Sequence, residues 1–318
     1  MNKRLQLVLG IALLVCTAAL VVSFFAADQY KPVAGKRIVV GTFSKTIAYA
    51  PYYAAVEKGW LGEAFAKHGV QAEFVEFQSL PAINEAMATK NLDVIFEAEI
   101  PASIGRAAGI DIKIIGITGR YYQELVLPAD SAVSGYAELK GKTVIAQSGT
   151  SSHYSLAKML EQNGLSVKDV QMIDMAPVDG KVAFESGQVD AWAVWPPFVQ
   201  QEQLTGKVKT LKGKGITAIV GVRGEFAGEN PALAADILEA VNRAKKWVFE
   251  NPEQAQELVS KKLNLPVDVV KKAWAVHDFQ SEMSQSDVPD IQSKADFLFG
   301  LKIIKSEVNA TELVALKN

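Results

Sequence analysis

The chain has 318 residues, 49% of them hydrophobic and 21% charged, a length and composition that exclude both one small domain and a disordered chain. Thirty-three Lys and Arg against 35 Asp and Glu leave a net charge of −2, without the basic block that displaces counterions from phosphates, which sets nucleic acid aside as a partner. Cys16 is the single cysteine and His68, His153 and His277 stand apart, so no disulfide, no metal site and no cofactor is expected in the folded part.

Residues 5–27, LQLVLGIALLVCTAALVVSFFAA, carry no charge, follow Lys3 and Arg4 and precede Asp28. Positive residues ahead of such a run keep the N-terminus in the cytoplasm and send the following chain outside. A signal-peptide core needs roughly 7–15 residues and a membrane span about 20, so cleavage and retention as an anchor both stay open. Val15 is too bulky for the small residue expected ahead of a lipidated Cys16. A polar linker, 28–35, leads to a fold beginning near Lys36.

RIVVGTF (37–43) reads as a strand, and small and apolar residues at helical spacing from Pro51 to Leu61 read as a helix ended by Gly62. QAEFVEF (71–77) alternates as a strand does; a helix follows over 81–89, a strand over DVIFEA (93–98), a helix over 101–108 and a strand over KIIGITG (113–119). Strands separated by short helices imply crossover units and a mainly parallel sheet covered by helices. Pro51, Pro81 and Pro101 each open a helix after a strand, where a missing N–H costs nothing. Their helix N-termini then gather at the carboxyl edge of the sheet, where ligands bind in open α/β folds.

After a turn-rich stretch, 128–141, a second series begins: strand KTVIAQ (142–147), loop SGTSS, helix HYSLAKMLEQNGL, strand VQMIDM (170–175), helix 181–186, and strand VDAWAVW (189–195). VKTLKG and ITAIVGV (216–222) read as two further strands, and from Asn230 onwards the pattern is wholly helical.

Gln147 to His153 is the most informative stretch, lying between a strand and a helix. Gly149 lets backbone approach a ligand, and Ser148, Thr150, Ser151 and Ser152 stand where helix N–H groups and the positive dipole end face outwards, a cradle for a small oxyanion. Helix capping explains the same residues. Neither the lysine of a phosphate loop nor a dinucleotide fingerprint is present. Trp192 and Trp195 straddle the end of a strand; alternation points them to opposite faces, one into the core and one to the strand end, although both can serve the core. Glu97 and Glu99 suit contact with a ligand donor or a bridge between lobes better than acid–base work, and solvated strand-end charges explain them too. Arg120 can pair with an oxyanion or form a hinge ion pair. No nucleophile elbow and no His/Asp set around Ser148 is visible, so no catalysis is expected.

The order of segments TIAYAPYYAAVEKGWL, LDVIFEAEIPASIGRAAGIDIKIIG, LKGKTVIAQSGTSSHYSLAKMLEQNGL, VAFESGQVDAWAVWPPF and NPALAADILEAVNRAKKWVFENPEQA resembles the substrate-binding proteins of ABC importers in the sulfonate, taurine and nitrate family. The resemblance runs from about Lys36 to about Leu316. It implies a two-lobe type II periplasmic-binding-protein fold, α/β throughout, with lobe 1 made of 36–124 plus 223–318 and lobe 2 of 125–222. It further implies a cleft that binds an oxyanion at Ser44 to Tyr49, Gln78, Ser79, Glu97 to Glu99 and Ser148 to Ser152, with the ligand tail near Trp192 to Pro197. Members resembling the taurine binders often have Asp after the second aromatic; here it is Pro196, which argues against an ammonium-bearing ligand unless Glu97 or Glu99 supplies the charge. The implied role is capture of a small oxyanion by a monomer that delivers it to a permease and its ATPase, with the membrane reached through 5–27 if uncleaved. Two other readings are an anchored ligand sensor acting through a partner chain and an enzyme on the same fold. Pyrimidine-forming relatives with that architecture carry a cysteine-rich motif, whereas no cysteine follows residue 16 here.

Overall fold

The computed structural model describes residues 37–43 and 46–315. The apolar run 5–27, the linker and Ser44 lie outside the described residues.

In chain order the first half runs β1 (Arg37–Phe43), α1 (Ala50–Glu57), α2 (Trp60–Ala66), β2 (Gln71–Phe77), α3 (Leu80–Ala88), β3 (Val94–Ala98), α4 (Glu99–Ala107) and β4 (Ile112–Pro128). The second series is β5 (Thr143–Ile145), α5 (Ser151–Gln162), β6 (Gln171–Ile173), α6 (Pro177–Glu185), β7 (Ala191–Val194), α7 (Phe198–Leu204) and β8 (Val208–Arg223). The chain closes with α8 (Gly224–Glu229), α9 (Pro231–Glu250), α10 (Pro252–Leu263), α11 (Val267–Trp274), β9 (His277–Asp278), α12 (Val288–Gly300) and α13 (Ala310–Leu313).

The nine strands of the described residues join one sheet in the order β2-β1-β3-β8-β4-β7-β5-β6, with β9 on β4. β1 lies parallel to β2 and β3, and β5 lies parallel to β6 and β7. These two parallel sets are joined through β4 and β8, which run antiparallel to each other and to β7 and β3 respectively. The sheet is thus parallel in each half and antiparallel where the halves meet.

Four parts of the chain differ from the sequence reading in kind or extent. The expected helix 51–61 is two helices: Gly59, at φ 75°, takes the left-handed conformation that turns the chain between α1 and α2, while Gly62 stays helical. KIIGITG is only the first part of a strand that continues to Pro128, and the two strands expected between 208 and 222 are one. Each supplies the other's hydrogen bonds from Ile112↔Arg223 to Pro128↔Val208, with three register shifts absorbing the twist. The C-terminal region is not wholly helical, because His277 and Asp278 pair with Tyr121 and Arg120 along the edge of β4. The His277 ring also stacks between Tyr121 and Phe279, at 5.3 and 5.4 Å between ring centroids.

Two hydrophobic clusters follow from this topology. The larger includes Phe65, Phe96, Trp192 and Phe226; a smaller one, with Leu125, Leu127, Val144, Leu156 and Leu160, fills the second series. Residues that end or follow β1, β3, β5 and β7 lie beside one another.

Candidate functional site

Four strand ends converge on one small cavity. Phe43 closes β1, with Thr46 and Tyr49 following it; Ala98 and Pro101 mark the passage from β3 into α4; Thr150 and Ser151 start α5; Trp195 follows β7; Tyr121 of β4 completes the wall. Its volume of about 20 Å³ is that of a single water molecule. Thr46 Oγ1 donates to Pro196 O at 3.1 Å and the rings of Phe43 and Trp195 lie 6.4 Å apart, so contacts between the two series close it.

The α5 terminus supplies the polar wall. Thr150 is its N-cap residue, extended in backbone, but its side chain caps no helix N–H. Thr150 Oγ1 instead donates to Gln147 O at 2.6 Å and meets Ser152 Oγ at 2.8 Å. The first N–H groups of the helix therefore lack an intrahelical partner, and the positive end of the helix dipole stands at the cavity. Gly149, at φ 73°, makes the turn that brings the loop in. Ser151 Oγ accepts from Gln123 Nε2 at 3.0 Å and shares the cavity wall with the Tyr121 phenol. Burial raises the Tyr49 and Tyr121 phenols far above their ordinary range, so both stay neutral donors.

Of the residues singled out from sequence, Tyr49, Thr150, Ser151 and Trp195 meet here, with Ser152 buried behind them. Trp192 lies in the core, 1% exposed, against Phe184 and Phe198. Glu97 is buried near Tyr49 with Oε1 unpartnered, and burial pushes its carboxyl up to about 8. Glu99 is buried but committed: Oε1 meets Lys294 Nζ at 2.6 Å and Oε2 accepts from Thr217 N at 2.8 Å. Arg120 points away from the cavity into an ion pair with Asp287 at 2.8 Å. Gln78 and Ser79 are exposed, Gln78 bonded to Glu76 and Ser79 capping α3 through Ala82 N. Ser148 N donates to Asp174 at 2.8 Å, outside the lining.

Thr46 falls within the Ser44 to Tyr49 loop implied by the resemblance, whereas Phe43, Tyr121 and Gln123 are not among the residues the sequence singles out. Tyr121 and Gln123 sit two apart on β4, hence on one face, a signal that emerges only once the strand is known to continue past Gly119. Among the described residues no three His, Cys, Asp or Glu side chains gather closely enough to hold a metal ion.

Two parallel sheet halves joined by two long strands, with the strand-end loops of both meeting at one cleft, define the class: a two-lobe type II periplasmic-binding-protein fold. The family model described as NMT1/THI5 like matches residues 46–255, about two thirds of the chain, and the chain belongs to that family. A Bacillus subtilis (strain 168) protein provisionally named aliphatic sulfonates-binding protein is 33% identical over 273 residues, covering 83% of this chain and 82% of that one. An Escherichia coli (strain K12) protein of the same provisional name is 30% identical over 248 residues, covering 73% and 78%. Among solved structures, the periplasmic aliphatic sulphonate binding protein SsuA from Escherichia coli superposes with a TM-score of 0.80 at 23% identity, covering 90% of this chain and 94% of that one.

Proposed function

We propose that this chain is an extracytoplasmic receptor that captures a small organic oxyanion, an aliphatic sulfonate above all, and delivers it without chemical change to an ABC importer. The observation that carries the reading is the cavity itself. Uncapped N–H groups and the hydroxyls of Thr150 and Ser151 form one wall, the apolar rings of Trp195 and Phe43 another, and neutral tyrosines a third. A sulfonate needs donors for its oxygens and an apolar surface for its carbon tail, and it meets both. The sulfonate-binding names of the two relatives support the same class.

The lobes run over 36–124 plus 223–318 and over 125–222, with β4 and β8 as the crossings. A cavity of about 20 Å³ admits no sulfonate, so entry requires the lobes to part and capture requires them to close again, a hinge motion driven by the ligand's preference for the closed form. Residues 5–27 either release the chain or hold it at the membrane.

A thermal-shift screen of the full-length chain against alkanesulfonates, taurine, nitrate, sulfate and amino acids tests the reading. A ligand at 100 times its Kd adds about 2.7 kcal/mol to the native state. A raised midpoint with an alkanesulfonate, lost in Thr150→Ala/Ser151→Ala, is the expected result. Stabilisation by an amine or a heterocycle and by no oxyanion would refute it.

A further inference from the structure

A second and far larger cavity, about 770 Å³, has the β4–β8 ribbon as its floor and shares Tyr121 with the cleft. Alternation along β4 gives the ribbon two faces. Tyr121 lines both cavities and Gln123 turns to Ser151, whereas Arg120, Tyr122 and Glu124 line the large cavity and not the cleft, and Lys212 stands opposite Glu124 in the ladder. Its walls come from both halves of the sheet: Tyr154 from α5 on one side, Asp290 and Lys294 from α12 on another, and the segment around β9 on a third.

The charges lining it divide sharply. Arg120 is paired with Asp287, and Lys294 with Glu99 and Asp290. Asp278 accepts the Gln280 and Ser281 N–H groups, and Glu124 accepts from Thr210 Oγ1 at 3.1 Å while burial raises its carboxyl above the usual range. Lys212 and Lys214 remain: among the described residues neither Nζ has a carboxylate within 4.0 Å. Lys212 Nζ lies 3.7 Å from the centroid of the Tyr122 ring, which is 46% exposed. Lys214 Nζ has only the Gln162 amide oxygen, at 3.4 Å.

From this geometry we infer that the large cavity, which adjoins the cleft at Tyr121, is a second ligand site for a flat organic anion: the ring packs on Tyr122 and the acid group reaches Lys212 and Lys214. The volume lies in the range of small-molecule sites. The lining's acids are already engaged, so the charge without a carboxylate contact is positive, and Tyr122, with Lys212 over one face of its ring and 46% exposed, favours a ring over a bare inorganic ion.

Titration of the full-length chain with 2-naphthoate, followed calorimetrically with saturating ethanesulfonate present, tests the site; a carboxylate probe keeps it separate from the proposed sulfonate cleft. One equivalent should bind, at least ten times tighter than 2-naphthylmethylammonium, and more weakly as salt rises. Lys212→Ala/Lys214→Ala should weaken it at least tenfold, Tyr122→Ser should weaken it as well, and Thr150→Ala/Ser151→Ala should leave it unchanged. Binding of the cation as tightly as the anion, indifference to the lysines, or loss in the Thr150/Ser151 variant would overturn the inference. Because the naphthoate titration does not require ethanesulfonate to bind, its failure and the failure of the sulfonate reading are separate results.

Discussion

Replacing Lys294 by Met isolates the buried pair that ties α4 to β8 and α12. Glu99 is fully buried and Lys294 nearly so, with Nζ at 2.6 Å from Glu99 Oε1 and 2.7 Å from Asp290 Oδ2. Burial works against the ammonium charge, but the two carboxylates outweigh it and hold the Lys294 pKa above its ordinary value. In Lys294→Met, Glu99 keeps the Thr217 N–H but loses its counter-charge, and stranding one partner of a buried pair costs about 3–5 kcal/mol. With an unfolding entropy of about 2.1 cal/mol/K per residue, roughly 280 folded residues give about 0.6 kcal/mol per degree, so Tm should fall by about 5–8 °C. Glu99→Met/Lys294→Met removes both charges and should recover most of that loss. Calorimetric melting of the three proteins at pH 7 decides it. A single variant within about 1 °C of the parent, or a double variant worse than the single, would refute the reasoning.

Glu97 gives stability a pH dependence. Its folded pKa of about 8 lies above the ordinary carboxylate value of 4.5, so the folded state holds a proton that the unfolded state releases, and the associated stability is full below about pH 4.5 and drains away up to about pH 8. Glu97→Gln should match the parent in Tm at pH 4 and exceed it by several degrees at pH 8; equal differences at both would count against a buried acid. Trp192→Ala should cost about 3–5 kcal/mol in urea unfolding, since its ring is enclosed by Phe184 and Phe198. Trp195→Ala should instead act chiefly on ethanesulfonate affinity, weakening it about tenfold or more in equilibrium titration. Gly59→Ala forces a Cβ into a left-handed turn with nothing within 4 Å to clash, so its cost is conformational, about 1–2 kcal/mol, and Gly59→Asn should recover part of it.

Local signals carried much of the fold into the sequence. β-Branched runs marked β1, β3 and β5; prolines marked the starts of α1 and α3, while α4 begins at Glu99, two residues ahead of Pro101; the glycine-hydroxyl loop marked the start of α5. What was not legible depended on pairing across the chain. Gly119 ends the strand read over KIIGITG, Gly213 closes VKTLKG and Gly215 precedes ITAIVGV; only the partner strand shows that the bulges carry pairing through them. The β9 segment reads as helix because Val269, Val270 and Ala273 keep helical spacing up to it, and the open edge of β4 that captures His277 is a non-local fact. The same limit applies to the site. Thr150, Ser151 and Trp195 were visible from their place after strands, whereas Gln123 and Tyr121 took their positions from a strand continuing into the second half. Glu97 and Glu99 looked equivalent in sequence, and Lys294, 195 residues along the chain from Glu99, is what sets them apart.

The most direct test of the account is a crystal structure of the chain grown with ethanesulfonate. The account predicts the sulfonate oxygens within hydrogen-bonding distance of the Thr150 and Ser151 hydroxyls and the first N–H groups of α5, with the ethyl group against Trp195 and the cavity widened from its about 20 Å³. A structure with the sulfonate bound elsewhere, or with that cavity unchanged and unliganded at saturating ethanesulfonate, would contradict it.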